Sequence, residues 1–269
     1  MKETASEIAS RTARGGILAE KDVVRKFNNW KTDSKAQEWL RTMNYDLSTI
    51  EAVKAEGVGG KSEKADVAVH IIVHIKKKSG KMSAESIENI QVKKVSNSSG
   101  SNQMERKQVD KYIKPWHMPL DVARTLKLFT GAILPDRPNT ISDKRMYMEE
   151  FTGAERQRVY QFLFDNMVMI ISDIVRGRGR YAVEWMLVIQ DYVDSSGSSY
   201  SEDMLLSINE TINYYVGDHS VKFTPARKDG THCGIKIGRV TIQRKGGDGP
   251  TDIQFKSDPS KLFEIKKLM

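Results

Sequence analysis

Two stretches of the chain, 66-DVAVHIIVHI-75 and 87-IENIQVKKV-95, decide its fold. Both are rich in β-branched residues, and both alternate, so that Val67 and Val69 share one face of the first stretch. The polar segment 76-KKKSGKMSAE-85 separates the two stretches. The pattern therefore predicts a hairpin of two strands with a polar tip.

The second strand of this hairpin carries a glutamine and a lysine at neighbouring same-face positions. Residues two apart in a strand point to one face, so Gln91 and Lys93 project together. Val92 points the other way, into apolar packing. Asp66 opens the first strand directly after a glycine-rich loop, so pairing of the strands brings it near Gln91 and Lys93.

This set of side chains suits phosphodiester hydrolysis. A hard cation such as Mg²⁺ prefers oxygen ligands, which the Asp66 carboxylate, the Gln91 amide and the Val92 carbonyl can supply. Lys93 can hold an attacking water and offset the charge that develops on the phosphorus. An I-Q-V-K run is equally typical of any half-exposed strand, so the spacing alone leaves both interpretations open.

The composition bounds the class of protein. A chain of 269 residues can form one large or two modest domains, and 39% apolar with 29% charged residues is typical of a globular protein. Runs such as 167-MVMIIS-172 are far shorter than the roughly 20 residues of a membrane span, which predicts no membrane association. The single cysteine excludes an internal disulfide, and the N-terminus has no apolar core like that of a signal peptide. These features predict a cytoplasmic protein.

The positive charge is concentrated in two regions. The net charge is +8, with twelve Lys and Arg against six Asp and Glu over residues 61–114, and eight against three over residues 221–256. Two basic regions separated by a balanced one favour an anionic partner such as nucleic acid. Solvated surface lysines would give the same counts.

The remaining pattern mixes helical and strand-like segments. Ser34 is expected to cap a short helix and Ser48 another that ends near Gly57. Further helices are predicted at 103–112, 119–130, 152–164 and 202–215, and further strands at 167–175, 181–193, 220–224, 234–244 and 252–256. The mixture predicts an α/β or α+β fold.

The residues around the hairpin resemble a known family. The segments 61-KSEKADVAV-69 and 90-IQVKKVSN-97 are similar to the active-site strands of the PD-(D/E)XK nuclease superfamily. More specifically, they resemble small GCGC-cutting type II restriction endonucleases, in which a glutamine replaces the acid before x-Lys. Other segments extend the likeness along the chain: 20-EKDVVRKFNNWK-31, 35-KAQEWLRTM-43, 129-FTG-131, 173-DIVRGRGRYAVEW-185 and 238-GRVTIQRKGGD-248.

The resemblance implies a PD-(D/E)XK core, with a central mixed sheet flanked by helices, and a β-rich DNA-recognition region. Residues 1–130 would form mainly the catalytic core, and residues 131–269 would complete the sheet and recognise DNA. This boundary is soft, and a single compact domain is also consistent with the pattern.

The resemblance also assigns roles to the site residues. Asp66 matches the metal-binding aspartate, with Glu63 as the alternative acid. Gln91 matches the glutamine ligand and Lys93 the catalytic lysine. Glu20, on the first helix, matches a glutamate that can reach the metal or its water, although a helical glutamate is also commonly just solvated.

The first candidate DNA-reading segment follows the catalytic strand. Asn102 and Gln103 resemble family residues that approach the bases, and their amides can donate and accept at once. Arg106 and Lys107 supply positive charge beside them. A member of the family that this segment resembles carries a bulky aromatic residue just before the Asn-Gln pair, whereas this chain has Ser101, which cannot stack between bases. A capped turn is the alternative interpretation.

The second candidate segment is 239-RVTIQRKGGD-248. Arg244 and Lys245 suit the acceptors of guanine, Asp248 suits the amino group of cytosine, and Thr241 and Gln243 share a face with Lys245. The alternative is a charged hairpin whose lysines contact only phosphates.

The arginine-rich segment 176-RGRGR-180 lies between two predicted strands. Arg176 and Arg178 are therefore expected either to contact DNA phosphates or to belong to a structural turn.

Taken with the residues, the resemblance implies a Mg²⁺-dependent type II restriction endonuclease, with Mn²⁺ as a substitute metal. The expected target is GCGC or the interrupted GC-N-GC in double-stranded DNA. The expected setting is the bacterial cytoplasm, with a separate cognate DNA methyltransferase and an enzyme that acts as a monomer or homodimer. The alternatives are a DNA-repair nuclease or nickase of the same superfamily and a non-catalytic basic DNA-binding protein.

Overall fold

The computed structural model describes residues 5–58, 64–77, 80–95, 102–193, 196, 198–225, 234–244 and 251–267. Within these ranges the chain forms two compact units. The first unit comprises residues 1–100, 175–211 and 259–269, and the second comprises residues 101–174 and 212–258. The division of the chain near residue 130 stays a prediction.

The helices of these ranges are α1 (Ala5–Asn28), α2 (Ser34–Thr42), α3 (Asp110–Ile113), α4 (Leu120–Thr130), α5 (Gly153–Asp165), α6 (Met167–Arg176) and α7 (Ile208–Val216). The strands are β1 (Ile50–Gly57), β2 (Val67–Lys77), β3 (Gly80–Val95), β4 (Asn102–Lys107), β5 (Trp185–Val193), β6 (Ser199–Ser207), β7 (Val221–Thr224), β8 (Gly234–Ile237), β9 (Val240–Arg244) and β10 (Ile253–Ser257). Short 3₁₀ helices occur at Leu47–Thr49, Met148–Glu150 and Pro259–Lys267.

The first unit is organised around a five-stranded mixed sheet. The strand order is β1-β2-β3-β5-β6, with β3 and β5 parallel and the other neighbours antiparallel. The predicted hairpin is confirmed, since β2 and β3 pair from Val67 opposite Ile90 to Lys77 opposite Gly80. Apolar side chains of α1 and α2 pack on one face of this sheet against Ile90 and Val92.

Two predictions for the first fifty residues are wrong in detail. Asp33, not Ser34, caps α2, because its carboxylate accepts hydrogen bonds from the backbone N–H groups of Lys35 and Ala36. The helix expected after Ser48 is only a 3₁₀ turn followed by β1. Pairing of that segment with β2 along its whole length outweighs the local capping signal.

The second unit contains a five-stranded antiparallel sheet of order β4-β10-β9-β8-β7. Its core includes an aromatic cluster, in which Tyr112 stacks on Trp116 and both meet the edge of Phe255. Gly238 turns β8 into β9 at φ 52°, and a Cβ there would lie 2.3 Å from the Val216 carbonyl oxygen, so only glycine fits.

Three further predictions are wrong. Residues 102–107 form the strand β4 rather than a helix, because they pair with β10. Residues 167–176 form the helix α6 rather than a strand, since a short apolar run does not distinguish the two by periodicity. Residues 202–207 belong to β6, which pairs with β5, so α7 begins only at Ile208.

Other predictions for this region are confirmed. The helix α4 spans the expected residues, and α5 begins with the predicted capping box of Thr152 and Glu155. Strands near residues 220–224 and 252–256 are present as β7 and β10, whereas the single strand predicted over 234–244 is two antiparallel strands, β8 and β9, joined by the turn at Gly238. The predicted mixture of a helix-flanked mixed sheet and a β-rich region is therefore confirmed. Among the described residues, no helix is both long and apolar enough to cross a membrane.

Candidate active site

Asp66 is fixed against the strand that carries Gln91 and Lys93. The β2–β3 ladder ends at Val67 opposite Ile90, and the Asp66 N–H extends it by donating to the Ile90 carbonyl at 2.9 Å. One step further, the Val92 N–H donates to Asp66 Oδ2 at 2.8 Å. The carboxylate thus occupies the place that a backbone carbonyl would have if β2 continued.

The Val92 carbonyl faces the same edge of the strand as the Asp66 carboxylate. In a strand, the N–H and C=O of one residue point to the same side, and the Val92 N–H points at Asp66. The Val92 side chain is buried in the apolar cluster beneath the sheet. Val92 therefore offers a backbone oxygen beside Asp66 while its side chain anchors the strand.

Gln91 is a buried side chain on the other face of β3. It is only 7% exposed, and its Nε2 donates to the Lys64 carbonyl at 3.2 Å. Because the amide nitrogen is used in this way, the amide oxygen is the atom with which Gln91 can bind a cation.

Charged side chains of the helix α1 and of the β2–β3 hairpin interact electrostatically around Asp66. Burial raises the pKa of Asp66, while the Lys93 ammonium, the Val92 N–H and Lys64 partly oppose that rise. Burial also raises the pKa of Glu20, Asp66 adds to the rise, and Lys93 opposes it. The helix α1 thus brings Glu20 into the same electrostatic group as Asp66 and Lys93.

The arginine-rich segment forms a turn beside this strand. Gly177 and Gly179 have φ of 72° and 82°, and a Cβ on Gly177 would lie 2.3 Å from Cγ of Lys64. The Val183 N–H donates to the Arg176 carbonyl at 2.8 Å, which closes the turn. The turn is therefore structural, and it also leaves the side chains of Arg176 and Arg178 exposed.

Asn89 is a residue of this region that sequence reasoning missed. It is 6% exposed, and its Nδ2 donates to the carbonyls of Arg180 at 3.0 Å and Ala182 at 3.1 Å. Asn89 thereby ties the arginine-rich turn to β3, two residues before Gln91. Its place on the same strand face as Gln91 was the available signal.

The predicted DNA-reading residues of β4 differ in their surroundings. Asn102 is half-buried and Gln103 is exposed. Arg106 pairs with Asp252, with 3.3 Å between Nε and Oδ2, and Lys107 pairs with the buried carboxylate of Glu105. Both cations of this segment are therefore held in position by acids of the same sheet.

The predicted residues of β9 fall on two faces. Thr241 and Gln243 alternate with Ile242, which is buried in the core, whereas Arg244 shares the face of Ile242. The structure therefore does not bring Arg244 onto the same face as Gln243. Four other residues considered from the sequence lie outside the described residues: Glu63, Ser101, Lys245 and Asp248.

Gln254 joins two of the predicted residues. Its Nε2 donates to Gln103 Oε1 at 2.5 Å, and its Oε1 accepts from Gln243 Nε2 at 3.4 Å. Sequence reasoning placed a strand at 252–256 but assigned no role to Gln254. The sequence did not indicate that β10 lies between β4 and β9, which is what brings the three glutamines together.

The donor atoms around Asp66 fit a hard divalent cation. Within the described residues, no group of three or more His, Cys, Asp or Glu side chains could hold a metal ion. Asp66, Gln91 and Val92 instead offer a carboxylate oxygen, an amide oxygen and a backbone carbonyl, which are all ligands that Mg²⁺ accepts. A cation there would also relieve the unfavourable burial of the Asp66 charge.

Comparisons with known proteins agree with this geometry. The family model described as R.HinP1I restriction endonuclease matches residues 43–263, well over half of the chain. A crystal structure of restriction endonuclease MspI in complex with its cognate DNA has a similar fold, with a TM-score of 0.61 and 14% sequence identity. That similarity covers 95% of this chain and 94% of the MspI chain. Among curated protein sequences, none matches.

The match to MspI is a likeness of fold, because the identity is low. It confirms the predicted fold class, a mixed central sheet flanked by helices. The family model covers β1 to β10 and the whole segment from Asp66 to Lys93. The chain therefore belongs to the R.HinP1I restriction endonuclease family, which confirms the predicted class of type II restriction endonuclease.

Proposed function

We propose that this protein is a Mg²⁺-dependent endonuclease that cuts double-stranded DNA at GCGC or at the interrupted sequence GC-N-GC, with Mn²⁺ as a substitute metal. It hydrolyses phosphodiester bonds and leaves 5′-phosphate and 3′-hydroxyl ends. It acts as a monomer or homodimer in the bacterial cytoplasm, beside a separate cognate DNA methyltransferase.

The observation that carries this proposal is the hydrogen bond from the Val92 N–H to Asp66 Oδ2. It joins the acid to the strand position between Gln91 and Lys93. An ordinary half-exposed strand would not require a buried carboxylate with a raised pKa at that edge. The bond therefore favours a nuclease site over a chance match to the motif.

Asp66, Gln91 and the Val92 carbonyl would hold the metal ion. When bound, the ion supplies Lewis-acid polarisation of the scissile phosphate and lowers the pKa of its water. Asp66 provides the negative charge, and the buried amide of Gln91 provides a neutral oxygen. The site is therefore one charge less negative than a site with two acids, so metal binding relies more on Asp66 and on the DNA phosphate.

Lys93 and Glu20 would handle the water and the developing charge. The Lys93 ammonium, which interacts electrostatically with both acids, can orient the attacking water and stabilise the pentavalent phosphorus. Glu20 can reach the metal or its water, and burial together with the nearby Asp66 carboxylate raises its pKa.

DNA reading is assigned to the sheet of the second unit. Asn102, Gln103 and Gln243 can each donate to and accept from base edges. Arg106 and Lys107 would contact the DNA beside Asn102 and Gln103, and the exposed Arg176 and Arg178 of the first unit would contact phosphates. DNA contacts are also proposed for Thr241, Arg244 and Lys245 on or near β9, and Asp248 would accept from the amino group of cytosine.

One digestion distinguishes this function from its rivals. The full-length protein is incubated with plasmid DNA and Mg²⁺, and the ends of the products are sequenced. Discrete cuts at one short GC-containing sequence are expected. Scattered nicks would favour a repair nuclease, and binding without cleavage in Mg²⁺ and Mn²⁺ would leave only a DNA-binding protein.

A further inference from the structure

Three glutamines form a continuous row across three neighbouring strands of the second unit. Gln103 lies on β4, Gln254 on β10 and Gln243 on β9. The row runs from Gln243 Nε2 to Gln254 Oε1 at 3.4 Å and from Gln254 Nε2 to Gln103 Oε1 at 2.5 Å. Every bond therefore points the same way along the row.

The middle glutamine is the buried member. Gln254 is 8% exposed, Gln243 is half-buried and Gln103 is exposed. The neighbours of Gln254 along β10, Ile253 and Phe255, are buried on the opposite face of the sheet. Gln254 is thus held in place, while the outer two amides retain access to a ligand.

A primary amide has one donor end and one acceptor end, which gives the row a polarity. Gln103 uses its oxygen to accept from Gln254, so its NH₂ group keeps both N–H donors for a ligand, against one remaining lone pair on the oxygen. Gln243 uses one N–H to donate to Gln254, so its oxygen keeps both lone pairs for a ligand, against one remaining N–H. Turning one amide alone would place donor against donor or acceptor against acceptor, which is unfavourable because a buried polar group is then left unpaired.

We propose that Gln254 is a positioning residue for sequence recognition, which makes Gln103 a hydrogen-bond donor and Gln243 an acceptor towards the DNA. This inference rests on the proposed function as a site-specific nuclease. A donor suits the O6 and N7 acceptors of guanine, and an acceptor suits the amino group of cytosine, in the major groove. One polarised row thus provides the two functions that a G·C element requires.

The substitution Gln254→Glu tests this polarity. A carboxylate only accepts, so both neighbours must donate to residue 254. Gln243 already does so, whereas Gln103 must turn and present its oxygen. The affinity of the variant is measured in non-cleaving Ca²⁺ for duplexes in which each base pair of the GCGC or GC-N-GC target is replaced in turn. The variant should lose roughly tenfold discrimination at the base pair that Gln103 reads. Discrimination at the pair read by Gln243 should be retained.

Two further variants serve as controls. Gln254→Leu removes both hydrogen bonds without adding a charge, so it should weaken discrimination several-fold at both pairs, and it remains informative if the buried Glu prevents folding. In a Gln103→Leu background, Gln254→Glu should cause no further change of base preference. The row predicts this non-additivity because Gln254 acts through Gln103.

The outcomes separate this inference from the proposed function. If the wild-type protein has no sequence preference, the proposed function fails and this inference fails with it. If the wild type is specific but folded Gln254→Leu keeps every preference, only the inference on Gln254 is overturned. Equal weakening at all positions of the target in Gln254→Glu would also overturn it, since that indicates a merely structural role.

Discussion

The proposed catalytic edge of the first unit, around Asp66, and the glutamine row of the second unit use opposite kinds of polar group. At the edge, full charges gather around a buried carboxylate: Glu20, Asp66 and Lys93 influence one another electrostatically. In the row, neutral amides of Gln103, Gln254 and Gln243 bond to each other. Burial makes the charge of Asp66 unfavourable unless a cation binds beside it. In the row, each amide already makes a hydrogen bond to its neighbour.

This difference matches the two tasks proposed for these regions. Hydrolysis of a phosphodiester requires charge that a metal ion and a transition state can exploit. Reading a base requires donors and acceptors at fixed places, and a free charge would bind any phosphate equally well. Substitutions at the edge should therefore change rate, and substitutions in the row should change sequence preference.

The largest effect is expected from Asp66→Ala. Loss of the only negatively charged ligand proposed for the metal should reduce Mg²⁺-dependent cleavage by about a thousandfold or more, measured as the single-turnover rate on plasmid DNA. Glu63→Ala is the matched control, because Glu63 is the other acid near this strand in the sequence, and it should retain most activity. The reverse result would assign the metal-binding role to Glu63.

The next effect is expected from Lys93→Ala. Cleavage should fall by about 10²–10³-fold because charge stabilisation in the transition state is lost, while binding of the specific duplex in Ca²⁺ should largely remain. Lys94→Ala is the control, since the next residue pairs with Asp191 at 3.0 Å on the opposite strand face. Full activity of Lys93→Ala would refute the site.

A smaller effect is expected from Gln91→Glu. A second carboxylate should lower the Mg²⁺ concentration for half-maximal cleavage by roughly tenfold, because ligand charge tunes affinity for hard cations. The variant also loses the donor to the Lys64 carbonyl, so the metal titration should be compared with Gln91→Met, which loses both the donor and the amide oxygen. An unchanged titration and rate in Gln91→Glu would mean that Gln91 is not a ligand.

The smallest effect is expected on thermal stability, when the carboxylate of Asp66 or that of Glu155 in the second unit is replaced by an amide. Glu155 is partly desolvated, which raises its pKa, but bonds from Arg137 and Thr152 outweigh this and lower the pKa to about 2. Asp66 has a raised pKa because of burial. In metal-free buffer at neutral pH, Asp66→Asn should therefore raise the Tm measured by calorimetry, and Glu155→Gln should lower it. Each kcal/mol of change in the free energy of unfolding should shift the Tm by about 2–4 °C.

The Tm difference between each variant and the wild type should depend on pH, because the pKa of Glu155 is lowered in the folded protein and that of Asp66 is raised. The contribution of Glu155 is fully present above its ordinary pKa of 4.5 and is lost as the pH falls towards about 2, so the deficit of Glu155→Gln should shrink in acid. The penalty from Asp66 is present above its raised pKa and disappears as the pH falls below the ordinary value of 3.8. A Tm of Asp66→Asn below that of the wild type at neutral pH would contradict this account of the site.

The sequence indicates the arrangement of Asp66, Gln91 and Lys93 better than that of the glutamine row, for a physical reason. Strand alternation places Gln91 and Lys93 on one face, and the adjoining hairpin brings Asp66 to them, so the pattern is local. The row instead joins Gln103 to Gln254 across 151 residues, and the local pattern of residues 103–112 predicts a helix rather than the strand β4 that carries Gln103. Pairing between distant strands overrides local propensity, and no short-range pattern indicates it.

The turn at Arg176 and Arg178 shows the same limit. Its composition predicted either phosphate contacts or a structural turn, and the hydrogen bonds that show the turn come from Asn89 and Val183. Glycine at positive φ was readable as a turn signal, but the partner on β3 was not. The role of the two exposed arginines towards DNA stays a prediction.

The central claim is that Asp66, Gln91 and Val92 hold the catalytic metal ion. Its most direct test is a crystal structure of the protein with a GCGC or GC-N-GC duplex and Mn²⁺, in which anomalous diffraction locates the ion. The account predicts an anomalous peak in contact with Asp66, Gln91 Oε1 and the Val92 carbonyl oxygen, next to a DNA phosphate. Manganese bound elsewhere, with no peak at Asp66 in a crystal that cleaves its DNA, would contradict it.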